Sequence, residues 1–199
     1  MVLRAELARV NTPVYGRVMS DRLSKADWLA EGLRTVTTEG AAGLKVGPMS
    51  DRLGVSRGSF YWHFSDIADL RGQLLDLWRD QTTEQVIRRI ETDPPAQRFR
   101  GLLRRAFVHG RGLESAVRSW AVTDAEVAAA VAEVDARRIA YIARILADVG
   151  VGKAQATARA RFVYWAYLGQ PLMRDSDNAV VSERLIDQFS DLLSGLKPS

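Results

Sequence analysis

Cysteine is absent from the 199 residues, and with it go disulfide frameworks, thiolate metal sites and cysteine nucleophiles. A reducing compartment suits such a chain. Histidine is scarce as well: His63 and His109 are the only two, and neither stands in a cluster with metal-ligand spacing. No metal or cofactor is therefore expected. Long apolar runs are missing too. The longest, Phe162 to Gly169, falls far short of the roughly 20 residues that span a bilayer, and the opening MVLRAELARVN has no signal-peptide core. The expectation is a soluble cytoplasmic protein with no membrane partner. Alternating strand patterns are also lacking, which leaves an all-α fold.

What is present is ordinary globular material. Hydrophobic residues make up 47% and charged residues 26%, enough for one packed domain or a small module fused to a larger one. The net charge of +4 is unevenly placed. Residues 1–64 hold nine Lys/Arg against six Asp/Glu, while the remainder holds nineteen against eighteen. A basic first third suits a polyanion-binding module, although a solvated surface gives the same balance.

Helical punctuation divides the chain. Ser24 is placed to cap a helix that presents Trp28, Leu29, Leu33 and Val36 on one face and stops at Gly40. A turn through Ala41, Ala42 and Gly43 leads to a short helix ending at Leu53, then Gly54-Val55-Ser56, then a second short helix over 57–64. Asp66 opens a longer helix reaching about Glu91. Past Pro94-Pro95 come helices over 96–110, around Trp120, from Asp124 to Gly150, over 153–173 and over 181–196, about nine in all.

The strongest signal is the run from Met49 to Phe64. Two helices of about two turns each cannot form a core alone, so the Ser24 helix must support them. Gly54 permits a left-handed turn, Val55 packs between the helices, and Ser56 is placed to cap the second. Phe60 and Phe64 lie four apart and cover the small core. The five consecutive aromatic or imidazole side chains from Phe60 to Phe64 cannot all face inward, so some of Tyr61, Trp62 and His63 must face out. This is helix-turn-helix geometry, in which the positive N-terminal end of the second helix can face double-stranded DNA.

Gly40, Gly43-Leu44, Leu53-Gly54-Val55-Ser56, Gly58-Ser59-Phe60-Tyr61-Trp62-His63-Phe64 and Leu70, in that order, resemble the signature of the TetR family of transcriptional regulators, specifically over residues 24–78. The resemblance implies that Arg57, Gly58 and Ser59 face base edges, that Tyr61 and His63 hold phosphates, and that Trp62 touches sugar or phosphate. Two positions depart from the family pattern. Lys45 replaces a capping threonine, losing a cap of about 1 kcal/mol while offering a cation to phosphate, and Ile67 replaces a lysine. Residues 1–23 precede the usual start. Arg4, Arg9, Arg17 and Arg22 suit a basic arm, whereas Leu3, Leu7 and Val10 suit a short helix packed on the body.

Enzyme-like patterns do not hold up. Gly54-Val55-Ser56-Arg57-Gly58 fits a nucleophile elbow only if a strand precedes the serine, and none does. Val149 to Ala154 lacks the first glycine and the hydroxyl of a phosphate loop. His109 reads as an ordinary surface or core histidine. No catalytic residue is expected.

Beyond residue 70 the aromatic content suits a pocket or a plain core. The family resemblance implies an effector cavity for an unidentified small molecule, with Trp78, Phe107, Trp120, Tyr141 and Trp165 as lining candidates. Leu185, Phe189, Leu192 and Leu196 recur at helical spacing and suit an isologous homodimer contact, although an internal core has the same spacing. The organisation read from sequence is an extension over 1–23, a DNA-binding domain over 24–70 and an effector-binding and dimerisation domain over 71–199. The function that fits is a ligand-responsive repressor released from its operator by a small molecule. The rivals are a helical small-molecule-binding protein without operator binding and a helical enzyme.

Overall fold

A computed structural model describes residues 23–108, 112–173 and 180–195, and every regular element among them is helical. The N-terminal extension, His109 and Leu196 lie outside the described residues.

Helix α1 (Lys25–Glu39) opens with a capping box: the Ser24 hydroxyl accepts from the Asp27 amide while the Asp27 carboxylate accepts from the Ser24 amide at 2.7 Å. A 3-10 turn (Ala41–Gly43) leads to α2 (Val46–Leu53), which ends at Gly54 with φ +69°, the left-handed geometry that the sequence demanded of that glycine. Helix α3 (Arg57–Tyr61) is shorter than its sequence suggests. The chain leaves the helix at Trp62, where the His63 and Phe64 amides both turn back to the Phe60 carbonyl. The expected Ser56 cap is corrected as well: Ser56 occupies the cap position with extended backbone, but its carbonyl and not its hydroxyl takes the Ser59 amide.

Asp66 caps α4 (Ile67–Arg79) by accepting from the Asp69 amide at 2.8 Å. The sequence predicts one α-helix from here to Glu91. Instead a π-helical turn (Asp80–Glu84) separates α4 from α5 (Gln85–Glu91) within one continuous rod. Next come α6 (Pro95–Val108), α7 (Gly112–Ala121), α8 (Ala125–Asp148) under an Asp124 cap, and α9 (Lys153–Gly169) with a closing 3-10 turn (Gln170–Leu172). Helix α10 (Glu183–Ser194), capped by Ser182, stops at Gly195, whose φ of +73° sets the end two residues before Leu196. With the rod taken as one, the described residues form nine helices. None is long and apolar enough to cross a membrane.

Two apolar clusters hold these helices. The first gathers Trp28, Met49, Phe60, Phe64, Leu70, Leu74 and Trp78 with Val117, Trp120, Val127, Val131 and Val134, so α1–α4 rest on α7 and the front half of α8. The second joins α5, α6, the back half of α8, α9 and α10 around Ile90, Phe99, Tyr141, Ile145, Tyr164 and Ile186. The rod and α8 run through both. Gly32 lets α1 meet α4 closely, since a Cβ there would stand 2.9 Å from both Leu74 methyls.

A buried carboxylate ties α1 to α2. Glu31 Oε1 accepts from Arg52 Nε at 2.5 Å and from the Thr35 hydroxyl at 3.2 Å, and Arg34 closes on both its oxygens. The hydrogen bond from Arg34, then that from Arg52 against the opposing effect of burial, holds the Glu31 carboxyl below the ordinary carboxylate range. A carboxyl depressed on folding adds stability that is full above its unfolded value and lost as pH falls through the lower folded value. Glu31→Gln is therefore expected to unfold at a lower urea concentration than the parent at pH 7, with the two midpoints converging as the pH drops below about 4. A midpoint difference that stays constant from pH 7 to pH 3 would mean that the charge of Glu31 contributes nothing.

Candidate nucleic-acid interface and ligand cavity

Burial sorts the aromatic run of α3 and its following turn into two faces. Phe60 and Phe64 are buried and stacked at 5.1 Å, with Trp28 edge-on to Phe60 at 5.3 Å. Tyr61 and Trp62 point outward, the latter 84% exposed. Arg57, Gly58 and Lys45 are exposed beside them, and Ser59 is half-buried. His63 is also half-buried, and its Nε2 lies 2.9 Å from the Leu23 carbonyl, so its ring is engaged with the chain itself. Arg57 folds back along α2, where a Cβ on Gly47 would approach its guanidinium to 3.0 Å. That glycine clears the path for the one arginine at the head of α3.

A cavity of about 430 Å³ lies between the rod, α6, α7, α8 and α9. Its wall is apolar through Val86, Leu102, Leu103, Phe107, Ile142 and Val163, and carries Thr82, Thr83, Glu114 and Arg138 at one side. Those polar groups are tightly joined. Arg138 donates to Glu114 at 3.0 and 3.1 Å, to the Thr83 hydroxyl at 2.9 Å and to the Thr82 hydroxyl at 2.8 Å. Glu114 also accepts from Arg118 Nε at 2.8 Å and from the Trp78 indole at 3.2 Å. Arg118 in turn pairs with Asp135, which accepts from the Tyr164 hydroxyl at 2.6 Å. Burial pushes the Tyr164 phenol upward, so it stays protonated and donates.

The π-turn of the rod sits at this network. Arg138 reaches both the carbonyl and the hydroxyl of Thr82, while Thr82 back-bonds to the Trp78 carbonyl. A helix whose ladder is interrupted where a buried arginine docks is a local weak point in an otherwise regular element.

No model of a known protein family matches the chain, and no curated protein matches it. Solved structures do. A Clostridium perfringens protein described as a fatty acid metabolism regulator superposes with a TM-score of 0.65 at 16% identity, over 86% of this chain and 99% of its own. A transcriptional regulator from Rhodococcus sp. gives 0.64 at 18% identity, over 87% and 95%. A TetR/AcrR-family regulator from Thermobifida fusca gives 0.60 at 15% identity, over 88% and 98%. The fold is that of the TetR/AcrR regulators.

Within this TetR/AcrR fold the sequence-derived lining candidates separate. Phe107 and Tyr141 line the cavity, whereas Trp78, Trp120 and Trp165 do not. Trp78 stands one layer behind the wall, its indole spent on Glu114 and its ring under the Arg138 guanidinium at 5.7 Å. Trp120 fastens the α7–α8 corner by donating to Asp124, the cap of α8, at 3.1 Å. Trp165 is 64% exposed, on the same face of α9 as Phe162. On α10, Ile186 and Ser190 turn inward, while Phe189 and Leu192 are exposed and Leu185 is half-buried.

Arg138 and Glu114 were not among the sequence candidates, yet a signal existed for both. Val127, Val131, Val134, Arg138, Tyr141 and Ile145 form one buried stripe of α8 at steps of four and three, and the arginine is the one charge within it. Glu114, Val117 and Trp120 form the matching stripe of α7. A charge in a buried stripe requires a partner, and these two helices each carry one.

Proposed function

We propose that the chain is a ligand-responsive transcriptional regulator that binds double-stranded operator DNA as a homodimer, most simply a repressor released by a small molecule. The observation that carries the reading is the outward display of Arg57, Gly58, Tyr61 and Trp62 on a helix-turn-helix that is joined by one rod to a mostly apolar cavity. Residues 24–70 serve as the DNA module and 71–199 as the effector and dimerisation part, with 1–23 as an extension. Arg57 and Ser59 face base edges, Gly58 lets the backbone approach, and Lys45, Tyr61 and Trp62 hold the phosphate backbone. His63 positions the turn through Leu23 in place of gripping phosphate.

The exposed apolar faces of α9 and α10 support an isologous contact through Leu185, Phe189 and Leu192, extended by Phe162 and Trp165. The rod supports a route for the switch. A ligand in the cavity bears on Thr82 and Thr83 at the π-turn, and α4 carries the displacement to the recognition helix. Such a ligand shifts the balance only by its preference between the DNA-bound and released forms.

The test begins with genomic fragments retained by the purified protein and continues with anisotropy titrations on the selected site. Arg57→Ala is expected to lose about 1–3 kcal/mol per half-site and to relax preference mainly at one base pair, whereas Tyr61→Phe weakens all sequences alike. An unaltered sequence profile for Arg57→Ala would remove it from base readout. Binding that shows no sequence preference at any salt concentration would favour a small-molecule-binding protein that does not use its helix-turn-helix.

A further inference from the structure

The charged side chains of the cavity wall do not balance. Three arginines, Arg89, Arg105 and Arg138, face one glutamate, Glu114, which leaves two positive charges over. Arg138 is satisfied by Glu114, Thr82 and Thr83, and behind it Arg118 and Asp135 cancel as a second pair. Arg89 and Arg105 differ from these. Neither makes a side-chain hydrogen bond or ion pair with any described residue, although their helix neighbours Arg88 and Arg104 are paired with Asp80 and Glu183. The same wall holds Tyr141, whose hydroxyl is buried without a hydrogen-bond partner. The rest is mostly apolar, and the volume is within the usual range for small-molecule pockets.

We propose that the cavity binds an apolar carboxylate, its head held by Arg89 and Arg105 and its body packed against Leu102, Leu103, Phe107, Ile142 and Val163. The proposal deepens the reading of the chain as a ligand-responsive regulator by naming the class of ligand. A cation is repelled by the guanidinium groups of Arg89 and Arg105. A neutral apolar molecule fills the wall but offers no charge to Arg89, which is exposed, or to the half-buried Arg105, which it leaves partly stripped of water. A carboxylate matches the planar fork of each arginine and offers an oxygen to Tyr141. Its placement also has a mechanical consequence. Arg89 belongs to α5, the far end of the rod, and Arg105 to α6, so one bound carboxylate ties the rod to α6 beyond the π-turn.

The experiment titrates the full chain with octanoate, decanoate and dodecanoate, and with decanol and decylamine as matched neutral and cationic probes, read by calorimetry and by the thermal unfolding midpoint. At least one carboxylate is expected to bind and to raise the midpoint, ten-fold or more tighter than decanol, with no binding of decylamine. The double variant Arg89→Ala/Arg105→Ala is expected to lose ten-fold or more in carboxylate affinity while binding decanol as before. Arg104→Ala, on the same helix but paired with Glu183 outside the cavity, leaves carboxylate affinity unchanged. Tyr141→Phe gives a smaller loss. The proposal is overturned if no carboxylate binds, if decylamine binds as well as decanoate, or if the double variant keeps full carboxylate affinity. Operator binding by the unliganded native chain is measured separately. Its absence would sink the regulator reading while leaving the carboxylate site standing, and a chain that binds operator but no carboxylate fails only here.

Discussion

Glu114→Ala is expected to lose about 3–5 kcal/mol of folding stability, because it strands a buried cation. Arg138 has 10% of its side chain exposed, and burial works against its charge while Glu114, helped by Tyr164 and Tyr167, offsets that effect. Removing the carboxylate also takes an acceptor from Arg118 and from the Trp78 indole. Exposed ion pairs set the contrast: Arg104 and Glu183 are each about half exposed, so Arg104→Ala should cost no more than about 1 kcal/mol. Urea midpoints at one fixed protein concentration provide the comparison. The double variant Glu114→Leu/Arg138→Leu should recover most of the loss, since two apolar groups of similar size need no partners. It should not recover the ligand response, because the docking of Arg138 on the π-turn is gone. A single Glu114→Ala variant within 1 kcal/mol of the parent would show that water or a rearranged side chain satisfies Arg138 without Glu114.

The sequence made the local devices readable and left the relations between distant helices hidden. Ser24, Asp66, Asp124, Gly40 and Gly54 announce helix ends by chemistry that acts within four residues, and all five act where expected. The inward turn of Phe60 and Phe64 follows from their spacing alone. The π-turn at Asp80–Glu84 could not be read this way, because Arg138, the side chain that docks on it, lies more than fifty residues along the chain. The tryptophans failed as pocket markers for a related reason. A buried indole nitrogen most often takes an acceptor, and Glu114 and Asp124 fix Trp78 and Trp120 away from the cavity, a pairing that composition cannot reveal. Ser56 shows the limit at short range, where a five-residue helix closes on backbone bonds and leaves its cap hydroxyl unused.

Phe189→Arg is expected to abolish dimerisation and to reduce operator affinity by at least about a thousand-fold, while leaving the fold of each chain intact. The separation of the two effects follows from where Phe189 lies. In the single chain it is 40% exposed, on the outer face of α10, so an arginine there remains in water and the monomer keeps its core around Ile186. Assembly alone would bury the new charge. In an isologous contact the charge enters twice, once from each copy, and each unpaired buried ion costs several kcal/mol. Even about 4 kcal/mol in total corresponds to roughly a thousand-fold weaker association. In the proposed dimer two half-sites about one DNA turn, roughly 34 Å, apart are engaged together, so a monomer would retain one set of contacts and fall toward non-specific affinity. Circular dichroism, light scattering and operator titration together read the three consequences. The exposed Trp165 and Phe162 on α9 offer an independent check, because Trp165→Arg should act in the same way if both helices form one interface. An intact dimer for Phe189→Arg would place the assembly surface elsewhere, and a folded monomer that still binds operator with native affinity would mean that one helix-turn-helix suffices.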